Sequence, residues 1–265
     1  MKYCFHYNIR NRNLSKADEL IFDYYEDNVN LIEKVQTISE KVRIIIDITN
    51  FGGKPNWDII GASVQVHPNS AVLITKTQID FVSALRMKNI KWFFADGCYT
   101  WDLLNECLNY GVTDVYIIDE LGFDIINVSR VCKDKGVQVR VYPNVAQTSA
   151  RLLTLGDYTS FYIRPEDVKI YEEYIDIFEF FGSSNKESVL YDIYSSEEWD
   201  GPLESLILNL YRGDMVKNSL IPNIFGFYRL ECKKKCNYHA CRLCKKNISS
   251  ARTIKERKDE ELEEG

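Results

Sequence analysis

Short runs of consecutive apolar residues alternate along the chain with longer stretches in which apolar residues recur at helical spacing. The short runs predict strands at Tyr3–Asn8, Val42–Thr49, Ala71–Thr75, Lys91–Ala95, Asp114–Asp119, Val137–Tyr142, Phe161–Arg164 and Asp176–Phe181. Runs that are apolar at nearly every position, such as VRIIIDIT, suit strands buried on both faces. Between them the spacing predicts helices over Lys16–Ser39, Gln78–Lys88, Thr100–Tyr110, Phe123–Lys135 and Glu166–Tyr174. Gly111 and Gly136 stand where two of these should stop. SVQVHP (Ser63–Pro68) is a possible ninth strand.

Eight strands alternating with helices imply parallel pairing through right-handed crossovers. The predicted fold is α/β, a (β/α)8 TIM-barrel-like domain over residues 1–185, with an open doubly wound sheet as the alternative. After Gly182 the turn-rich GSSNKES breaks the pattern, and YDIYSSEEWDGPLESLILNLYRGD reads as strand, loop and helix. Residues 190–265 are expected to form a C-terminal extension that packs on the barrel and ends in a charged tail.

Charge alters this picture at one place. Residues 1–227 hold 22 basic and 32 acidic side chains, residues 228–258 hold 11 basic and 2 acidic, and the tail 259–265 adds five acids. The clustered positive charge surrounds Cys232, Cys236, Cys241 and Cys244, spaced C-x3-C-x4-C-x2-C. A C-x2-C turn brings two sulfurs together, and neighbouring Lys and Arg favour thiolates, so the four are expected to share a zinc ion or an iron–sulfur (4Fe–4S) cluster. His239 could replace one cysteine. Lys233, Lys234, Lys235, Arg242, Lys245 and Lys246 would attract RNA or another phosphate-bearing ligand, with Tyr238 free to stack on a base. The bland alternative is that these lysines only balance the charge of a metal loop. Cys4, Cys107 and Cys132 read as buried hydrophobes, and Cys98, at a strand end, is the one scattered cysteine placed for chemistry.

The N-terminal MKYCFHYNIRNRN lacks the apolar run of a secretory signal, and no segment is long and apolar enough to span a membrane, so a cytoplasmic location is expected. Nucleotide-loop, nucleophile-elbow and H-E-x-x-H motifs are absent.

In a barrel the polar residues at the C-terminal strand ends are the site candidates. These are His6, Asn8, Asp47, Thr49, Asn50, Lys76, Asp96, Cys98, Asp119, Glu120, Arg140, Tyr142, Asn144, Gln147, Thr148, Arg164, Glu166, Asp167 and Glu179. Arg164 after an apolar run could clamp an oxyanion. Glu179 inside DIFEFF needs a partner if buried, with Arg140 or Arg164 as candidates.

GVTDVYIIDELGFDIINVSR, VQVRVYPNVAQTSA, the LGD-x-x-SFYIRPED step and DIFEFFG together resemble the collagenase-like peptidase family over residues 90–182. The resemblance implies a (β/α)8-type fold, iron–sulfur clusters in some relatives, and roles in RNA or quinone hydroxylation beside the peptidase label. The matching positions are Asp119, Gln147, Thr148, Arg164 and Glu179. Asp119, Arg164 and Glu179 are the expected catalytic residues; Asp47, Asp96, Arg140, Asn144, Gln147 and Thr148 are the expected substrate contacts. The family's His-Gly-x-x-Cys and Ser-Gly-x-Cys elements are missing after Glu179, where Phe181-Gly182-Ser183-Ser184 stands instead.

Overall fold

The computed structural model describes residues 1–7, 13–24, 30–146, 161–182, 184–208, 216–222, 226 and 230. The cysteine segment, Asn8, Gln147 and Thr148 lie outside the described residues.

Eight strands form one parallel sheet: β1 (Lys2–His6), β2 (Glu19–Asp23), β3 (Arg43–Asp47), β4 (Ser70–Ile74), β5 (Trp92–Phe94), β6 (Asp114–Tyr116), β7 (Gln138–Val141) and β8 (Ile177–Glu179). Their order is β5-β4-β3-β2-β1-β8-β7-β6. The two edge strands meet: Thr113 N–H donates to Trp92 O at 3.0 Å, Cys98 N–H to Tyr116 O at 2.7 Å, and Ile118 N–H to Cys98 O at 3.1 Å. The sheet thereby curls into a nearly closed eight-stranded barrel, which buries both sheet faces and leaves almost no open edge.

Helices cover the outside: α1 (Leu31–Gln36), α2 (Trp57–Val66), α3 (Val82–Met87), α4 (Trp101–Tyr110), α5 (Ile125–Asp134), α6 (Val168–Tyr171), α7 (Ser184–Ser196) and a short α8 (Leu203–Leu206). Local sequence sets their ends. The Asn56 side chain accepts from the N–H groups of Asp58 and Ile59, the Thr100 hydroxyl from Leu103 N–H, and Gly111 ends α4 at φ 74°. α4 buries Leu104, Cys107 and Leu108, the i, i+3, i+4 stripe of an amphipathic helix. Among the described residues no helix is long and apolar enough to cross a membrane.

Four segments differ from the sequence pattern. Glu19–Asp23 is a strand inside the stretch expected to be helical, because Leu20, Ile21 and Phe22 are all buried and a short apolar run fits either geometry. Phe161–Arg164 is buried and extended, with Ile163 N–H donating to Pro143 O, yet it is not one of the eight barrel strands. SVQVHP belongs mostly to α2. The stretch after Gly182 is the thirteen-residue α7, so residue 185 falls inside a helix. Its Tyr191 packs against Tyr3 and Phe5 of β1, with ring centroids 5.0 and 5.5 Å apart.

Beyond α7 the chain docks on the turn Pro165–Asp167. Glu166 Oε1 accepts from Trp199 N–H at 2.9 Å and Asn218 Nδ2 at 2.5 Å. A Cβ on Gly226 would lie 2.3 Å from Asp167 Oδ1, so only glycine permits that approach.

Candidate functional site at the barrel mouth

The barrel interior holds two polar levels. Glu19 and Arg43 open β2 and β3, and Asp114 opens β6, so these charges start near the N-terminal end. Register places Glu179 beside Cys4, Cys4 beside Glu19, and Glu19 beside Arg43, so the stagger of the strands brings the last residue of β8 to the level of the first of β2.

Arg140, fully buried, is the hub of the lower level. Its Nε donates to Asp114 Oδ1 at 3.0 Å, its Nη1 to Glu179 Oε2 at 3.1 Å, and its Nη2 to Glu19. Arg43 donates to Asp114 at 2.6 and 2.7 Å, to Glu19 at 3.2 Å and to Gln138 at 2.6 Å. Tyr116 donates its hydroxyl to Glu179 at 2.6 Å. Both guanidinium groups also lie over the Phe93 ring, Arg140 at 4.9 Å and Arg43 at 5.8 Å. Arg140 to Glu19, Arg43 to Asp114 and Gln138, and Tyr116 to Glu179 join strands that are not neighbours, so the side chains fill the barrel as a paired ionic floor. Burying such charges is tolerable only because each is hydrogen-bonded to an opposite charge.

The upper level, at the C-terminal mouth, is built differently. His6 ends β1, and its Nδ1–H donates to Glu187 Oε1 on α7 at 2.7 Å; Glu187 is wholly buried, whereas the His6 side chain is 40 % exposed. Burial alone would lower the imidazole pKa. The hydrogen bond to Glu187 and the charges of Glu179, Glu187 and Asp23 outweigh burial and push it up to about 9. His6 is therefore an imidazolium at neutral pH, and its Nε2 has no partner among the described residues. Asp47 ends β3; burial raises its carboxyl above the usual range, against the opposing pull of its bond from Thr49 N–H at 2.8 Å.

Asp119 follows β6. It is 9 % exposed, its backbone sits at φ 50°, and it has no hydrogen-bond partner among the described residues. Burial first, and the adjacent Glu120 charge second, push its pKa up to about 6. A non-glycine residue held in the left-handed region is uncommon, and such strain concentrates at functional sites.

Among the described residues, the other candidates Arg140, Glu179, Asn144, Arg164 and Asp96 have hydrogen-bond partners within the fold. Arg140 and Glu179 pair in the floor. Asn144 is buried, and its amide grips the Phe181 backbone in both directions, donating to O at 2.9 Å and accepting from N–H at 3.0 Å. Arg164 is buried with its fork taken by Asp167 at 2.8 Å for both bonds, and it ties that turn to Ile221 O. Exposed Asp96 accepts from Lys76 N–H at 2.6 Å. Glu187 and Asp23 were missed. Asp23 lay in a presumed helix, and nothing in NKESVLYDIYSS marks which carboxylate faces His6. Among the described residues no group of three or more His, Cys, Asp and Glu side chains is arranged to hold a metal ion.

A polar groove of about 360 Å³ adjoins the mouth between the loops after β3 and β4, lined by Thr49, Asn50, Gly52, Thr77 and Asp80 among others. Gln78 fixes its wall by donating to Ile48 O at 2.8 Å and Phe51 O at 3.3 Å.

No family model and no curated protein matches this chain. Among solved structures it is similar to the crystal structure of the 4-hydroxy-2-oxoglutarate aldolase/2-deydro-3-deoxyphosphogluconate aldolase from TTHB1, at 9 % identity over 74 % of this chain and 93 % of that one, with a TM-score of 0.40. A likeness of that degree says nothing about chemistry.

Proposed function

We propose that this chain is a (β/α)8-barrel enzyme that performs proton transfer on RNA or a small polar substrate at its C-terminal mouth. The observation that carries the reading is Asp119: a carboxyl at a strand end on a residue only 9 % exposed, without a hydrogen-bond partner among the described residues, held at φ 50°, with a pKa raised to about 6. A carboxyl poised near the working pH can both accept and return a proton. His6, its ring held by Glu187 through Nδ1, is a second ionisable group at the end of β1.

The test is a difference-infrared titration of the wild type against D119N. A carboxyl titrating near pH 6 that vanishes in the variant supports the reading. A carboxyl titrating in the ordinary range, near about 4, removes Asp119 as a proton carrier.

Cys232, Cys236, Cys241 and Cys244 are proposed to hold the metal centre, on spacing alone. Protein purified anaerobically should be brown, absorbing at about 400 nm, if the centre is an iron–sulfur cluster. One zinc per colourless chain would select the zinc form, and neither metal would eliminate the centre. The basic charge of residues 228–258 favours a second reading, a zinc-containing nucleic-acid-binding protein without catalysis. RNA affinity falling steeply with salt in both wild type and D119N, with no turnover in either, would select it.

A further inference from the structure

We propose that Cys98 and Cys107 form a reversible dithiol–disulfide site, oxidised by a hydroperoxide, between the end of β5 and α4. Their sulfurs lie 3.6 Å apart. A disulfide requires about 2.05 Å, so the sulfurs must approach by roughly 1.5 Å to bond. Both thiols are buried at 1 % exposure, and nearby Lys76 and Glu106 form an ion pair of 2.9 Å whose side chains are 28 % and 46 % exposed. The Lys76 ammonium lies close enough for its charge to act on both thiols.

The two sulfurs are not equivalent. The hydrogen bond from Cys98 lowers the Cys107 pKa, burial opposes that, and the Lys76 charge lowers it again; Cys98 is driven the other way by the same bond and by burial. Cys107, the thiol whose anion the Cys98 hydrogen bond and the Lys76 charge both favour, takes the attacking role, and Cys98 the resolving one. The Cys107 sulfur attacks the distal peroxide oxygen, the O–O bond breaks, and the departing oxygen takes a proton to leave as alcohol or water. The Cys98 sulfur then displaces the sulfenic oxygen, which leaves as water with the remaining proton. Two thiols and one hydroperoxide give one disulfide, one alcohol or water, and one further water.

The bond would act on the barrel seam. Cys98 N–H donates to Tyr116 O, and Cys98 O accepts from Ile118 N–H, the residue before Asp119. Any influence on turnover rests on the proton-transfer reading above; the disulfide itself does not.

The sequence makes the test clean. Trypsin cuts after Lys91 and Arg130 and nowhere between them, so both cysteines fall in one peptide, 92–130, that holds no third cysteine. The full chain is exposed to a small excess of hydrogen peroxide, denatured, alkylated with iodoacetamide and digested. The expected result is peptide 92–130 lighter by two hydrogens and unalkylated, returning to the doubly alkylated form after dithiothreitol. Buried Cys4 and Cys132 should stay fully alkylated throughout. In C98S, Cys107 should accumulate a sulfenic acid trapped by dimedone, whereas in C107S, Cys98 should stay reduced. A doubly alkylated 92–130 at peroxide levels that oxidise Cys4 and Cys132, or direct conversion to sulfinic acid in the wild type, overturns the proposal.

Discussion

The floor and the mouth of this barrel use the same residue types to opposite ends. In the floor, Arg43 and Arg140 face Glu19, Asp114 and Glu179, and every charge has partners within hydrogen-bonding distance. At the mouth, among the described residues, His6 has only one ring nitrogen hydrogen-bonded and Asp119 has no hydrogen bond. Both levels are buried enough to make charge costly, so the contrast lies in whether that cost is offset locally. A carboxylate compensated within the fold is architecture. One left uncompensated is available to a ligand, and its displaced pKa is the mark of that.

The contrast is broken most directly from below. R140M removes the cation shared by three buried carboxylates and should cost about 3–5 kcal/mol in urea unfolding. A loss under about 1 kcal/mol would mean the floor is not held by pairing. N144A deletes both hydrogen bonds to the Phe181 backbone and should cost about 2 kcal/mol, read in the same experiment.

The mouth should answer to pH instead. His6 has a folded pKa of about 9, above its unfolded value of 6.5, so its pairing stabilises fully below pH 6.5 and the benefit fades as pH rises through 9. With the side chain part-exposed, that loss should be about 1–2 kcal/mol across the window, and E187Q should flatten it. Equal pH slopes in E187Q and wild type would detach His6 from Glu187.

Asp119 is a carboxyl with a raised pKa, so the folded state favours its protonated form. Its contribution is most favourable below pH 3.8 and declines as pH rises to about 6. D119N should therefore stabilise the protein by about 1 kcal/mol at pH 8 while abolishing any proton-transfer activity. Destabilisation there would make Asp119 part of the scaffold. K88A, which breaks an exposed 3.2 Å pair with Asp58, sets the lower bound, within about 0.5 kcal/mol of wild type.

How far the site could be read in the chain follows from the same contrast. Asp119 was legible, because an apolar run ending in an acid marks a strand end. Arg140 and Glu179 were legible as a pair but not as a floor, since only the stagger of β8 against β1 and β2 lowers Glu179 to the level of Glu19. Arg164 was expected to clamp a carboxylate or phosphate, and the carboxylate it holds is Asp167, one turn further along the same chain.

By itself the sequence determined local events: where the helix from Thr100 opens, where Gly111 closes it, and that eight parallel strands would alternate with helices. These depend on neighbours a few residues apart, whose chemistry is written consecutively. Tertiary structure decided the membership of the barrel, admitting Glu19–Asp23 and excluding Phe161–Arg164, because an apolar pentapeptide takes the conformation whose backbone hydrogen bonds the adjoining strands can complete. It also decided which charges are neutralised and which left open. Pairing across a barrel depends on strand stagger, a property of the closed sheet that no single strand carries.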